Sequence, residues 1–221
     1  MTREFAIVWA HRDRLLEGLT NTVWLCVLAT ALALLIASPI TMALMASNRP
    51  LRVAARGFVD AMRCIPFLLL AYIVYYGLPT LGIRFNNWSA GLCALTIYNA
   101  AYMAEILRGG WASLPREHID AGYAFGFSGL RLYRRIILPP VAFACVPVMG
   151  NQMIQIIKDS AFLTIIAVPE LTHEASAIQS MYYVPFAAFV AAVALYAPII
   201  FALVSLQRWI ERRQAVTEAS A

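Results

Sequence analysis

The residues with the greatest capacity for chemistry in this sequence are polar groups set within long apolar stretches. They are Asn99 and Glu105 in one stretch, and Asn151, Gln152, Gln155, Lys158 and Asp159 in a later one. Polar groups are unfavourable in an apolar environment, so each is a candidate for contact with a polar solute. Hydrogen bonding between neighbouring helices would use the same side chains, and the sequence leaves both alternatives open.

These alternatives differ from position to position. Glu105 lies within one helical turn of the end of its stretch, where pairing with Arg108 is at least as good an explanation as contact with a solute. Lys158 and Asp159 end the later stretch, where they could gate a path or pair with each other. The three amides before them follow Pro147 and Gly150, and amides beside a broken helix are suited to holding a zwitterion.

Side chains typical of enzymes and metal sites are present but scattered. His11, His118 and His173 lie in different segments, which predicts neither a metal site nor a nucleophilic triad. The only lysine, Lys158, has no glycine framework around it, so a phosphate-binding loop is absent from the sequence. The four cysteines have no paired spacing and are predicted to be small apolar residues of helices. We therefore predict no catalytic residue, no metal ligand and no cofactor bound by this chain.

The composition indicates a membrane protein. Hydrophobic residues make up 62% of the 221 residues and charged residues 13%, with a mean hydropathy of +0.71. A soluble domain carries about 25% charged residues. The net charge of +5 arises from arginines in short groups between apolar stretches, which is typical of cytoplasmic loops rather than of nucleic-acid binding. We predict an all-α membrane protein that forms a single domain over residues 1–221.

Five stretches are long enough to cross a bilayer, at about residues 22–45, 59–78, 88–107, 136–157 and 186–206. The fourth is predicted to be broken by Pro139, Pro140, Pro147 and Gly150. Between the fourth and fifth, residues 158–185 contain an apolar segment too short to span, which predicts a re-entrant or interfacial helix. A sixth span stays open as an alternative. The first 19 residues are predicted to form a short amphipathic helix at the membrane surface.

The distribution of basic residues predicts the orientation. Twelve of the 17 basic residues fall on one side of the five predicted spans. The other side receives Arg3, Arg12, Arg14, Arg84 and Lys158. Because cytoplasmic loops hold the excess of basic residues, this places the amino terminus outside and the carboxyl terminus in the cytoplasm. The division requires an odd number of spans, in agreement with five.

The largest predicted cytoplasmic loop covers residues 108–136. Gly109 and Gly110 are predicted to end the third span, and Pro115 precedes a short helix that Gly126 would stop. A second short helix is predicted from Leu130 toward the fourth span. This helix–turn–helix forms a compact projection that could dock another protein.

Within this loop, Asp120-Ala121-Gly122 is followed after three residues by Gly126, and after nine more by Ile136-Ile137-Leu138-Pro139. This spacing resembles that of the cytoplasmic loop of ABC importer permeases, in which an acid and two small residues precede a glycine and an Ile-x-Leu-Pro. The chain departs from that pattern at Asp120, where Glu is usual, and at Gly122, where Ala is usual. Small residues at 121 and 122 would let the helix approach a groove of a partner, and Gly126 would permit a sharp turn.

The resemblance extends from about residue 18 to residue 213 and is closest to the polar amino-acid branch of that family. It is carried by Gly18-Leu19 with Thr22, Arg63-Cys64-Ile65-Pro66, Ala101-Tyr102 with Glu105 and Arg108-Gly109, and Lys158-Asp159-Ser160. The resemblance implies a type I importer fold in the inner membrane, with a coupling role for Asp120, Ala121, Gly122, Gly126, Leu138 and Pro139.

The resemblance also implies partners. A dimer of ABC ATPase subunits would hold the ATP and Mg²⁺, and an extracytoplasmic binding protein would deliver an amino acid or related zwitterion. A second permease subunit, identical or a sister, would complete the pathway. Two alternatives are a self-sufficient secondary transporter or channel, and a non-transporting scaffold subunit. A secondary transporter would show an internal repeat or an ionisable residue deep within a span, and the sequence shows neither. A scaffold subunit would leave the docking loop without a function.

Overall fold

The computed structural model describes residues 2–219, without the side chains of Thr2 and of residues 213–219. Every regular element in this part of the chain is helical, which confirms the all-α prediction. The α-helices are α1 (Thr2–Ala10), α2 (Arg12–Leu44), α3 (Arg49–Cys64), α4 (Phe67–Tyr72), α5 (Asn87–Ala112), α6 (Arg116–Ala124), α7 (Gly129–Leu132), α8 (Leu138–Ser160), α9 (Leu171–Tyr182) and α10 (Pro185–Ala219).

Four continuous helical segments within the described residues are long and apolar enough to cross a membrane. They are Arg12–Leu44, Asn87–Ala112, Gly129–Ile166 and Pro185–Arg212. A fifth crossing results if α3 and the segment Phe67–Leu81 together count as one broken span. The two are bent by 105° relative to each other. The second predicted span, at 59–78, is therefore not one straight helix. Pro66 has no backbone N–H and holds Ile65 in an extended conformation, which ends α3 at Cys64.

The centre of the bundle is the contact between α2 and α5, which both present small residues. Ala29, Ala33 and Ala37 of α2 are fully buried, as are Ala94 and Ala101 of α5. Small side chains let two helix backbones approach closely, which is how helices associate where hydrophobic burial gives little drive. The Thr41 hydroxyl adds a hydrogen bond across this contact to the carbonyl of Ala104 at 3.2 Å.

The fourth predicted span is continuous, which corrects the prediction of a break at mid-membrane. Pro139 and Pro140 directly follow a wider π-helical turn over Tyr133–Ile137, and this local change of hydrogen-bond pattern accommodates two residues without a backbone N–H. Pro147 is accommodated inside α8. Gly150 permits close approach of α10, because a Cβ there would lie 3.0 Å from the side chain of Gln207.

The amino-terminal region also differs from its prediction. Only α1 is a separate short helix, and residues 12–19 belong to the long helix α2. The Phe5 ring contacts the ring of Phe186 edge-on, and Val8 is buried, so α1 packs against the start of α10.

The segment between the fourth and fifth spans forms a short 3₁₀ helix, Ala161–Ile166, followed by α9. At twelve residues, α9 is about 18 Å long, too short to cross the hydrocarbon core. The structure thus supports a short helix rather than a sixth span in this region. Leu171, Ala175 and Ile178 of α9 are fully buried against the rest of the bundle.

Candidate functional site

One face of α8 presents polar side chains that its own chain does not cover. Asn151, Gln155 and Lys158 are all exposed, and their spacing of four and three residues places them along one side of the helix. Among the described residues, no carboxylate lies within salt-bridge distance of Lys158. A polar stripe on a membrane-spanning helix requires water or a protein partner beside it.

Gln152 lies off this face and bonds to a neighbouring helix. Its Nε2 donates a hydrogen bond to Oδ1 of Asn99 at 2.7 Å, and Nδ2 of Asn99 donates to the carbonyl of Leu95 at 2.8 Å. Asn99 is fully buried. The sequence left open contact with a solute and hydrogen bonding between helices. In the structure, Gln152 and Asn99 form a hydrogen bond between α8 and α5.

Replacing Gln152 with leucine is expected to lower stability with little direct effect on a solute. Hydrogen bonds between membrane helices contribute about 1 kcal/mol, and the buried Asn99 would lose its partner. We expect a melting midpoint lower by about 2–4 °C in detergent. Asn151→Leu is the matched control, because Asn151 is exposed, and it should leave the midpoint unchanged. Equal midpoints for both variants would contradict this assignment.

Glu105 is the centre of an ion-pair cluster at the opposite end of the bundle from Lys158. Arg108 forms a two-pronged contact, with Nε to Oε2 and Nη2 to Oε1 each at 2.8 Å, and Nη1 of Arg56 reaches Oε2 at 3.4 Å. Arg63 lies over the ring of Tyr102, 5.8 Å from its centroid. The cluster joins α3 to α5, so Glu105 has the structural pairing that the sequence offered as one alternative.

Asp159 is buried and does not form a salt bridge with Lys158. Its Oδ1 accepts a hydrogen bond from Nε2 of Gln155 at 2.8 Å. Its Oδ2 has no hydrogen-bond partner among the described residues. The two adjacent charges therefore point in different directions, Lys158 outward and Asp159 inward, and an unsatisfied acceptor lies next to the polar face.

The loop between α5 and α7 forms the predicted helix and turn. It begins later than predicted, because α5 continues through Gly109 and Gly110 to Ala112. Gly126 has a φ of +77°, and the N–H of Phe127 donates to the carbonyl of Gly122 at 3.0 Å. This is the hydrogen-bond pattern of a glycine-terminated helix, so Gly126 ends α6 in the way predicted.

The outer surface of α6 is well exposed. Asp120 and Ala121 are both exposed, and beside them Tyr123 and Phe125 present aromatic rings, with Phe125 83% exposed. Apolar side chains exposed on a water-facing loop indicate a protein contact surface. We call Asp120, Ala121, Tyr123 and Phe125 the loop surface.

Gly122 does not belong to the loop surface. It is buried, and a Cβ at this position would lie 2.5 Å from Cδ1 of Leu132 and 3.3 Å from Cγ2 of Ile136. The small residue therefore lets α6 approach its own following helix rather than a groove of a partner, which corrects the prediction for Gly122. Glycine fits this contact as it stands, whereas a Cβ would require the end of the Leu132 side chain to shift.

Leu138 and Pro139 connect the loop to the spanning helix. Leu138 is half-buried and Pro139 is exposed, both in the first turn of α8. Just before them, the hydroxyl of Tyr133 lies 3.1 Å from the hydroxyl of Ser38 on α2. The last part of the loop, from Gly129, is thus joined to α8 without an interruption and is held against the bundle at Tyr133.

Glu170 was not among the residues that the sequence pattern indicated, yet it is fully buried at the start of α9. Its Oε1 accepts from the N–H of His173 at 2.6 Å, and its Oε2 accepts from the N–H of Thr172 at 2.9 Å and from the hydroxyl of Tyr196 at 2.8 Å. Glu170 lies between the spanning segments, and burial raises its pKa to about 7. Glutamate is not among the usual N-cap residues, so the sequence pattern contained no clear signal that Glu170 would cap α9.

These features define a class. A membrane transport subunit has apolar helices suited to a bilayer, one of them with an uncovered polar face, and an exposed helical loop that leads through a turn into that same helix. Residues 29–216 match the family described as "Binding-protein-dependent transport system inner membrane component", and the chain belongs to that family.

Curated relatives are similar over nearly the whole chain. The histidine/lysine/arginine/ornithine permease HisM of Salmonella typhimurium is 32% identical over 218 residues, covering 94% of this chain and 92% of the relative. The octopine permease OccM of Rhizobium meliloti is 32% identical, with 94% and 91% covered. The probable glutamine ABC transporter permease GlnM of Bacillus subtilis is 27% identical, with 94% and 96% covered.

Solved structures share the fold. A crystal structure of an amino acid ABC transporter with histidines superposes with a TM-score of 0.85 at 28% identity, covering 95% of this chain and 98% of the other. The methionine transporter MetNI superposes with a TM-score of 0.73 at 19% identity, which supports the fold alone. These matches confirm the predicted fold class and the resemblance to ABC importer permeases.

Proposed function

We propose that this chain is the permease subunit of an ATP-driven importer that moves an amino acid or a related zwitterion into the cytoplasm. The observation that carries the proposal is the exposed loop surface on α6, with the family spacing from Asp120 to Pro139 and a direct connection into the polar helix α8. The relatives named above are permeases for amino acids and opines, which favours the same solute class here.

The proposed orientation places α9 outside and α6 in the cytoplasm. Helix ends sort into two groups: Arg14 bonds to Glu174, and His11 to Tyr182, at one end, while the Glu105 cluster marks the other. The second group lies on the arginine-rich side, so the rule that cytoplasmic loops are basic gives an external amino terminus.

In this proposal the energy comes from a partner. ABC ATPase subunits bind ATP and Mg²⁺ and dock on the loop surface, where Asp120 pairs with a basic residue and Phe125 enters an apolar pocket. Closure of the ATPase then moves α6 together with the continuous helix that follows it. Alternating access arises from rigid movement of two permease subunits, identical or sister, relative to each other.

The solute would pass along the polar face of α8. Lys158 supplies a cation for the solute carboxylate, and Asn151 and Gln155 supply amide donors and acceptors. The buried Asp159 lies behind this face and positions one of its amides, because its Oδ1 accepts a hydrogen bond from Nε2 of Gln155 at 2.8 Å. A second permease subunit beside this face would shield these groups from lipid, and an extracytoplasmic binding protein would deliver the solute.

Lys158→Met is expected to reduce uptake roughly 10- to 150-fold, because a hydrogen bond to a charged group contributes about 1.5–3 kcal/mol. The measurement is uptake of radiolabelled amino acid into vesicles that contain the complete transporter. Arg84→Met is the matched control, since it removes an exposed cation from the same proposed side of the membrane and should leave uptake unchanged. Equal uptake by both variants would contradict a role for Lys158 in the pathway.

Reconstitution tests the proposal as a whole. Uptake should require ATP, the ATPase and the binding protein together, and the ATPase should co-purify with the chain. Uptake by the chain alone, driven by a proton or sodium gradient, would instead support a secondary transporter. Screening the cognate binding protein against amino acids by thermal shift would identify the solute.

A further inference from the structure

A concave surface that contains none of the polar residues of α8 lies between α1, the start of α2 and the first half of α10. This groove has a volume of about 550 Å³, within the range of small-molecule sites. Its walls are almost entirely apolar and include Phe5, Val8, Leu15, Leu16, Val190 and Leu195. We call it the α1 groove.

Two residues at the mouth of the α1 groove have a different character. Trp9 is 70% exposed, and the guanidinium carbon of Arg12 lies 5.5 Å from the centroid of its ring. Nη1 of Arg12 also donates a hydrogen bond to the carbonyl of Trp9 at 3.3 Å. Tryptophan prefers the depth of lipid headgroups, so this end of the groove belongs at the membrane surface.

The charge of Arg12 is available to an additional anion. Nε of Arg12 lies 3.8 Å from Oδ1 of Asp13, and the side chain of Asp13 is 84% exposed. Water screens such an exposed ion pair, which contributes about 0–1 kcal/mol. The groove therefore combines an apolar interior with a cation and an interfacial aromatic ring at one end.

We propose that the α1 groove binds an anionic phospholipid, with an acyl chain between α1 and α10 and the phosphate on Arg12. The groove is polar at one end only and apolar elsewhere, which matches an amphiphile. A helix of another protein subunit would require apolar contacts at both ends of the groove. The charge complementarity favours an anionic headgroup, because a basic residue at the surface attracts anionic lipids by about 1 kcal/mol. The lipid would fix α1 against α10, and it would use none of the polar residues of α8.

The experiment uses quenching of Trp9 fluorescence by brominated lipids. The purified chain is placed in vesicles with increasing fractions of dibrominated phosphatidylglycerol or of dibrominated phosphatidylcholine, and the Trp9 contribution is obtained by subtracting the Trp9→Phe spectrum. Phosphatidylglycerol should quench Trp9 at about fivefold lower mole fraction than phosphatidylcholine.

Two variants and one control complete the test. Arg12→Gln should abolish the preference for phosphatidylglycerol, and Arg84→Gln, which removes a cation away from the groove, should retain it. Ala194→Phe fills the groove and should reduce quenching by both lipids, with size-exclusion chromatography confirming an intact fold. Equal quenching by the two lipids, or a preference unaffected by Arg12→Gln, would overturn the proposal. Shielding of Trp9 from both lipids in a dimer of the chain would also overturn it and assign the groove to a second copy.

Discussion

Asp120→Arg is expected to abolish ATP-driven uptake and to release the ATPase during purification. Asp120 is exposed on the loop surface, and in the described part of the chain its side chain makes no hydrogen bond or ion pair, so the substitution should leave α6 folded. Reversing a charge at a docking contact costs about 2–4 kcal/mol, which weakens binding roughly 30- to 1,000-fold. Co-purification of the ATPase and uptake by vesicles measure the two effects.

Asp13→Arg is the matched control for Asp120→Arg. It makes the same change of charge at an exposed acid, but at the opposite end of the bundle. The Asp13→Arg variant should retain the ATPase during purification and should retain ATP-driven uptake. Retention of the ATPase by Asp120→Arg at the level of the control would show that the loop surface does not dock it, and the importer proposal would lose its main support.

Gly18→Leu is expected to produce the largest loss of stability. A Cβ on Gly18 would lie 3.0 Å from the Cα of Leu171 and 3.2 Å from the carbonyl carbon of Glu170, both of which are backbone atoms that cannot rotate away. The larger side chain must separate α2 from α9, which breaks the 3.1 Å hydrogen bond from the N–H of Leu171 to the hydroxyl of Thr22. Overpacking of this kind costs about 3 kcal/mol and should lower the melting midpoint by about 6–12 °C.

Gly57→Leu is the control for this substitution. Gly57 lies in α3, and a Cβ added there would have no atom of another element within 4 Å, so the same side chain meets open space. Leucine also has a higher helix propensity than glycine by about 1 kcal/mol, so Gly57→Leu should be neutral or slightly stabilising. If Gly18→Leu and Gly57→Leu had the same melting midpoint, the close contact of α2 with α9 would not contribute to stability.

The continuous helix that contains α8 has a consequence for the proposed mechanism. From Leu138 to Lys158 it extends over about twenty residues, or roughly 30 Å, without a break. A helix broken at Pro147 would absorb a displacement of the loop, whereas a continuous one carries it to Asn151 and Lys158. We therefore expect the corrected geometry to suit force transmission better than the predicted one.

The sequence by itself determined the properties that depend on local composition. Apolar stretches long enough for a bilayer identified four of the spans as continuous helices, and the turn at Gly126 followed from the preference of glycine for a positive φ. The loop motif and its position between two spans could be recognised because its spacing lies within one continuous stretch of chain.

The tertiary structure alone decided which face of each helix is covered. Gln152 faces Asn99 while Asn151 does not, and Gly122 faces Leu132 instead of a partner. Hydropathy could not separate Asn151 from Gln152, because both are amides and only the packing of α8 against α5 decides which of them is covered. Gly122 lies outside the spans, and its contact depends on how α6 folds back onto the segment that follows it. Burial of Glu170 likewise depends on Tyr196, which is distant in sequence and adjacent only after α9 and α10 have packed together.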